Sequence, residues 1–331
     1  MSASPGRGAA RADRAPILPF TVVIATRDRG AVVERAVASI LATSYPALEV
    51  VVVDQSRDDR SERAVIPLLD RATGRLRYLR TTTTGVSHGR NLGIASARSE
   101  WIAITDDDCE VPADWLDALA EAIAEHPEAG IVCGNVLPGP HDAHAGFIPG
   151  YVRAEPLLAT SIRHKHQVEG ISACMALRRS LWRDLGGFDV QLGVGAPLRS
   201  GAESDLVVRA LLVGVPVYET PRFALVHHGF RTWEEGRDVV GRYWFGTGAM
   251  YARLLRRGHL QVLLVLARLA ARAVRRRSRV ATSLGERSYS TLRARSFAHG
   301  FLTGALLPPG EAQHVVGAQQ ADRRSEQQER R

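Results

Sequence analysis

Cysteine is scarce: Cys109, Cys133 and Cys174 are the only three in 331 residues. Their spacings match no zinc motif, and an odd count argues against a disulfide framework, so a reducing, cytoplasmic setting is expected. Lysine is scarcer still, represented by Lys165 alone. No apolar run reaches the ~18 residues of an ordinary membrane-spanning helix. The first fifteen residues are rich in Arg, Ala and Gly but have no apolar centre, unlike a secretory signal. There is no Walker A sequence, no internal repeat, and Gly193 and Gly195 form no dinucleotide fingerprint.

What remains is ordinary for a globular chain. Hydrophobic residues make up 45% and charged residues 24%, which excludes a collagenous, coiled-coil or mostly disordered protein. The length suits one large domain or two, at roughly 100–200 residues each. The formal net charge of +8 is local, because Arg253–Arg279 holds nine arginines and no acid. Without that stretch the chain is close to neutral. Two readings of it stand side by side. An amphipathic basic helix gives peripheral contact with an anionic membrane surface. Alternatively, Leu263, Leu266 and Leu269 pack inward while the arginines face water. Aromatics do not interleave with the arginines, so no nucleic-acid partner is expected.

Along the chain, Phe20–Thr26, Leu48–Asp54 and Trp101–Thr105 are short apolar runs that suit buried strands. Leu76–Arg80 is a weaker one, and Gly130–Val136 another. Between them, Val33, Ala36, Val37 and Ile40 fall at helical spacing. Val86–Ala97 also reads as helical, as does the stretch from Pro112 to Glu125. Strand and helix alternate, which implies an α/β fold with a mainly parallel, Rossmann-like sheet flanked by helices. Ligands of such sheets gather at the carboxyl ends of the strands, where Asp54 and Asp106–Asp108 fall. Further helices are expected at Arg178–Leu185 and Glu203–Leu212, and strands at Val215–Glu219 and Ala224–His227. Pro138–Gly170 is irregular; its histidines (141, 144, 164 and 166) lack the spacing of a metal site. The expected organisation is a disordered arm (1–15), a catalytic domain (16–250), a basic helical extension (251–307) and a disordered tail (308–331).

The sharpest chemical feature is TDDDC, residues 105–109. Adjacent carboxylates repel unless a cation neutralises them, and Mg²⁺ or Mn²⁺ prefers oxygen ligands shared with substrate phosphates. The structural alternative is an acidic turn complementing the dipole of the next helix. Further motifs accompany it: VVIATRDR (22–29), VVVDQSRDD (51–59), GVSHGRNLGIA (85–95), GGFD (186–189), GAESDL (201–206) and LVHHGFR (225–231).

In this order and at these separations, the set resembles the family 2 glycosyltransferases, inverting enzymes of the GT-A fold. The resemblance implies a nucleoside diphosphate sugar donor, an acceptor hydroxyl and Mn²⁺ or Mg²⁺ as cofactor. It implies that Thr26, Arg27, Asp54, Arg90, Asn91 and Arg231 contact the donor, Asp54 at the base and the arginines at phosphate. Asp106 and Asp107 would meet ribose or metal, and Asp108, last of the DXD-like triplet, would bind the metal. His228 is the expected carboxyl-side metal ligand, with His227 as competitor. Glu203 stands where the family carries its catalytic base, although Glu replaces the usual Asp; Asp205 is the reserve. Each has a structural alternative: a strand-end turn for Asp54, an exposed helix residue for Arg90, a surface ion pair for Arg231, and a first-turn helix acid for Glu203. Two other activities fit the sheet: a nucleotidyltransferase, and a sugar-nucleotide-binding protein without turnover. An aspartyl phosphotransferase would need a downstream lysine, and Lys165 lies in an irregular segment.

Overall fold

The computed structural model describes residues 17–72, 74–273 and 286–308. The expected terminal arm and most of the expected tail lie outside the described residues, as does 274–285 of the basic stretch. The strands are β1 (Phe20–Thr26), β2 (Leu48–Asp54), β3 (Leu76–Arg80), β4 (Trp101–Asp106), β5 (Cys109–Glu110), β6 (Ile131–Pro138), β7 (Gly146–Phe147), β8 (Leu157–Ala159), β9 (Met175–Arg178), β10 (Val217–His227) and β11 (Arg231–Thr232). The helices are α1 (Val32–Leu41), α2 (Arg60–Arg71), α3 (Val86–Ser96), α4 (Trp115–Glu125), α5 (Arg179–Asp184), α6 (Ala202–Leu212), α7 (Glu235–Arg256), α8 (Val262–Ala273) and α9 (Glu286–Leu306).

The main sheet runs β3-β2-β1-β4-β9-β6-β10-β5, with β8 also on β10. Its six principal strands β1, β2, β3, β4, β6 and β10 point one way, and β9 lies against them between β4 and β6. This is the mainly parallel α/β sheet expected. Burial on both faces explains the continuous apolar runs. Val22, Ile24, Val50 and Val52 face a core shared with α1, α2 and α4. Val23, Val51 and Val53 face a second core with α3, α5, α6, α7 and α8.

Two details of this frame aim side chains at the carboxyl edge of the sheet. A Cβ at Gly93 would lie 2.5 Å from Val23 Cγ1, so α3 lies directly on β1 and carries Arg90 to the end of β4. The strands expected at Val215–Glu219 and Ala224–His227 are one strand from Val217 to His227, with an irregularity between Glu219 and Ala224. Pro221, which has no N–H to donate, sits there. The bulge bends the strand, and the continuation carries His227 to β5.

The start of the basic stretch lies within a helix. Helix α7 runs without a break across the boundary expected at residue 250. Arg253 donates from Nε (3.1 Å) and Nη2 (2.9 Å), and Arg257 from Nη2 (3.0 Å), to Asp189 Oδ2 in the GGFD turn. Arg256 donates to Leu307 O at 2.7 Å, and Arg268 to Arg163 O. These four arginines are therefore engaged on the protein. In α8, Val262 and Val265 are buried, with Leu266 and Leu269 packed against the same core. This is one helical stripe, and it leaves Leu263, expected to pack inward, 52% exposed. No helix among the described residues is long and apolar enough to cross a membrane.

The Asp189 cluster yields a stability prediction. The side chains of Asp189 and Arg253 are only 8% and 5% exposed. Asp189→Asn leaves the Arg253 charge without its counter-ion, an expected loss of about 3–5 kcal/mol read from urea unfolding. Burial alone would raise the Asp189 pKa, but the Arg253 and Arg257 charges and the Gln191 N–H hold it below the ordinary 3.8. Its stabilisation is thus present above about pH 3.8 and disappears as pH falls through the lower folded value. The variant should show a flatter acid limb than the parent; an unchanged limb would remove the pair from the account of stability.

Candidate active site

Three strand ends and one turn build the site. Strand β1 ends on Thr26, whose Oγ1 donates to Asp107 Oδ2 at 2.7 Å. The chain then turns through Asp28, at φ +54°. Asp28 N donates to Ser56 Oγ at 2.7 Å and Gly30 N to Ser61 Oγ at 3.2 Å, which strap the turn to the segment after β2. This backbone path projects Arg29 over the aspartates. Its Nε donates to Asp107 Oδ1 at 3.2 Å and its Nη2 to Asp108 Oδ2 at 2.7 Å.

Asp106 receives Arg90 Nη2 at 2.9 Å, and Arg90 itself is buried. Burial pushes the Asp107 carboxyl up to about 6, although Arg29 and the Thr26 hydroxyl pull the other way. Asp108 is different. Burial would raise it, but the His227 contact, the Arg29 charge and the more distant Arg231 charge together hold it below the usual range.

Of the two histidines, His227 is the one that meets Asp108: its Nε2 lies 3.2 Å from Asp108 Oδ1. Its Nδ1 is 2.7 Å from Pro149 O, so the ring donates there and turns Nε2 toward the carboxylate. Burial would lower the His227 pKa, but Asp108 and the Pro149 carbonyl raise it above the ordinary value. The His228 ring, expected to face the triplet, instead sets Nε2 3.1 Å from Glu110 Oε1. The reason is the turn before β5. Strand alternation alone would set Asp108 on the His228 side, because His227 pairs with Cys109 and successive side chains point to opposite faces. Asp107 and Asp108 instead lie in a turn between β4 and β5, which lets the Asp108 carboxylate face His227. Only the His228 backbone reaches the triplet, its N–H donating to Asp108 O at 2.9 Å.

Asp108, Cys109 and His227 offer one ligand atom each, all within 4.8 Å of one another. A Cβ at Gly229 would come within 2.5 Å of His227 Nε2 and 2.9 Å of Asp108 Oδ2. Glycine therefore keeps a cradle open where carboxylate and imidazole converge. A carboxylate oxygen and an imidazole nitrogen, with room for substrate oxygens, fit a divalent cation.

The remaining expected site residues are placed as follows. Asp54 is fully buried at the end of β2; its Oδ1 accepts from Ser56 N at 2.8 Å and its Oδ2 from the Tyr78 hydroxyl. It fixes the turn after β2. Asn91 is also occupied: its Oδ1 accepts from Trp182 Nε1 (3.0 Å) and Phe188 N (2.9 Å), and its Nδ2 donates to Phe188 O (2.9 Å). It ties α3 to the GGFD turn. Arg27 is exposed, 3.7 Å from Asp28. Arg231 is half-buried and donates to Phe230 O.

Glu203 sits half-buried in the first turn of α6, with no hydrogen bond or ion pair to another described residue. Asp205 is 1% exposed and pairs with Arg209 at 2.6 Å. Arg209 in turn donates to Leu185 O and Gly187 O. Asp205 thus supports the GGFD turn and is not presented as a free carboxylate. Arg29 was not among the expected site residues. The TRDR run contained it, but nothing in the sequence reveals which of the two arginines the turn aims inward.

The chain matches the family described as Glycosyl transferase family 2 over residues 21–186. It is 26% identical over 246 residues to the O-antigen biosynthesis protein RfbC of Myxococcus xanthus, covering 69% of this chain and 19% of that one. It is 26% identical over 245 residues to the pre-mycofactocin glycosyltransferase of Mycobacterium tuberculosis, covering 69% of this chain and 46% of that one. The chain thus spans less than half the length of these two relatives. In fold it resembles the mannosyltransferase PcManGT of Pyrobaculum calidifontis, solved with GDP-Man and Mn²⁺. The TM-score is 0.56 at 20% identity, covering 87% of each chain.

Proposed function

This chain belongs to glycosyl transferase family 2, and from that membership we propose a specific reaction. It moves a sugar, with inversion and a divalent cation, from a nucleoside diphosphate sugar to an acceptor hydroxyl. The observation that carries the cation and donor reading is the meeting of Asp108 and His227, 3.2 Å apart, at the carboxyl edge of the sheet beside the opening left by Gly229.

Asp108 and His227 would hold Mn²⁺ or Mg²⁺, with Asp106 or Asp107 reaching it through the donor. When bound, that ion supplies neutralisation of the charge that grows on the leaving diphosphate. Arg90 and Arg231 supply further positive charge for the phosphates. Thr26 keeps Asp107 oriented toward the ribose side. Glu203 accepts the proton of the acceptor hydroxyl as its oxygen attacks the anomeric carbon. The bond from that carbon to the diphosphate oxygen breaks in the same displacement, which inverts the stereochemistry. Glu203 is favoured over Asp205 because Asp205 is neutralised by Arg209, whereas Glu203 has no such partner among the described residues. The name of the RfbC relative supports a cell-envelope polysaccharide as acceptor class.

The test is a thermal-shift screen of sugar nucleotides with Mn²⁺, followed by analysis of the released product. One donor should raise the melting temperature; at one hundred times its Kd the stabilisation is about 2.7 kcal/mol. Turnover should release a nucleoside diphosphate. Release of pyrophosphate would make the chain a nucleotidyltransferase. Binding without release under any acceptor would make it a sugar-nucleotide-binding protein.

A further inference from the structure

Every carboxylate of the triplet already has a cationic neighbour. Arg90 takes Asp106, the His227 ring takes one oxygen of Asp108, and Arg29 bridges Asp107 and Asp108. The bridge is the informative contact. Arg29 Nη2 lies 2.7 Å from Asp108 Oδ2, the oxygen that faces the Gly229 opening. A guanidinium and a divalent ion cannot both occupy that oxygen at bonding distance without facing each other as like charges. Arg90 is buried and fixed, but the Arg29 side chain is 38% exposed and hangs from a turn whose backbone is tied elsewhere. It can leave without disturbing the strands.

We infer that Arg29 is a donor-binding residue that serves two anions in turn. In the empty site it neutralises Asp107 and Asp108. When a divalent cation takes Asp108, Arg29 is displaced and moves to the diphosphate that arrives with the cation. Guanidinium suits both partners, because its planar fork pairs with carboxylate and with phosphate alike. The exchange couples the two ligands. The cation alone must expel Arg29 into water, whereas cation and diphosphate together give it a new partner. Cation and nucleoside diphosphate should therefore bind with positive cooperativity, and Arg29 should account for a large part of it.

This inference rests on the proposed cation site, and the experiment separates the two. Binding of Mn²⁺ alone is followed by its electron paramagnetic resonance signal, then repeated with UDP and with GDP. Arg29→Gln should bind Mn²⁺ alone about tenfold more tightly than the parent, while the enhancement given by a nucleoside diphosphate should shrink by about tenfold. Arg29→Lys keeps the charge and should lie between the two. Arg35→Gln controls for loss of a nearby positive charge, since Arg35 pairs with Glu110 at 2.8 Å and not with the triplet. It should leave both quantities within about twofold of the parent. If Arg29→Gln binds Mn²⁺ no more tightly than Arg35→Gln does, or keeps the full enhancement, the exchange is overturned and the cation site stands. If Asp108→Asn binds Mn²⁺ as well as the parent, the cation site itself is wrong and the inference falls with it.

Discussion

Asp108→Asn is expected to lower donor turnover by about 10³-fold, the several kcal/mol that charge neutralisation at a leaving diphosphate contributes. The substitution keeps the side-chain shape and removes only the negative charge. Asp108 is where the site's electrostatics converge: the imidazole of His227 on one oxygen, the guanidinium of Arg29 on the other, and the backbone N–H of His228 on its carbonyl. Losing the charge leaves Arg29 paired with Asp107 and partly solvated, so stability should fall by little, about 1 kcal/mol or less. The measurement therefore has two arms, initial rate with Mn²⁺ and the urea unfolding midpoint. His227→Ala should reproduce most of the rate loss, and the double variant should be little worse than either single one. Groups that act as one unit are not additive. An Asp108→Asn enzyme with parental rates would remove the carboxylate from the chemistry. Full additivity with His227→Ala would mean the two residues do not share a ligand.

What the sequence made legible follows from how each element is buried. Strands β1, β2 and β4 are interior strands buried on both faces, so their apolar runs are uninterrupted and end abruptly on polar residues. Their limits are read almost to the residue. Helix α1 shows its four buried positions, Val33, Ala36, Val37 and Ile40, at the expected spacing. Helix α2 was not anticipated, because Pro67 interrupts a charged stretch that buries only Ser61, Val65 and Leu68. Strand β9 was missed for another reason. It has four residues, too few for an alternation to be visible, and it runs against its neighbours β4 and β6 by tertiary packing alone.

The site divides along the same line. Its carboxylates were legible because they terminate strong strands. Residues reached through a bulge or a turn were not. Which histidine meets Asp108 depends on the turn at Asp107–Asp108, which breaks the alternation that the β10–β5 pairing would impose. Whether Arg27 or Arg29 points inward depends on the left-handed backbone at Asp28. Motif membership likewise did not fix a role. Asn91 and Asp205 stand in stretches that resemble donor-contacting and base-carrying segments, yet Asn91 bonds to the GGFD turn and Asp205 is paired with Arg209, which bonds to that turn.

Glu203→Gln should abolish transfer while sparing donor binding, an expected loss of about 10²–10⁴-fold for removal of a general base. The substitution is close to isosteric at a half-buried position with no ion pair to lose among the described residues, so the unfolding midpoint should stay with the parent. The discriminating quantity is the split between binding and turnover. A residue that acts only on the acceptor proton leaves the donor's thermal shift unchanged and lowers kcat, because its contribution appears only as the hydroxyl attacks. Asp205→Asn should behave in the opposite way. It strips Arg209 of a buried counter-ion and loosens the turn at Leu185–Gly187, so it should lower stability by about 3–5 kcal/mol and reduce activity only in proportion to the unfolded fraction. The crossed pattern decides the base: catalysis lost and stability kept at Glu203, stability lost and specific activity kept at Asp205. If Glu203→Gln turns over at parental rates while folded Asp205→Asn does not, the assignment reverses. The Asp205–Arg209 pair would then have to open during the reaction.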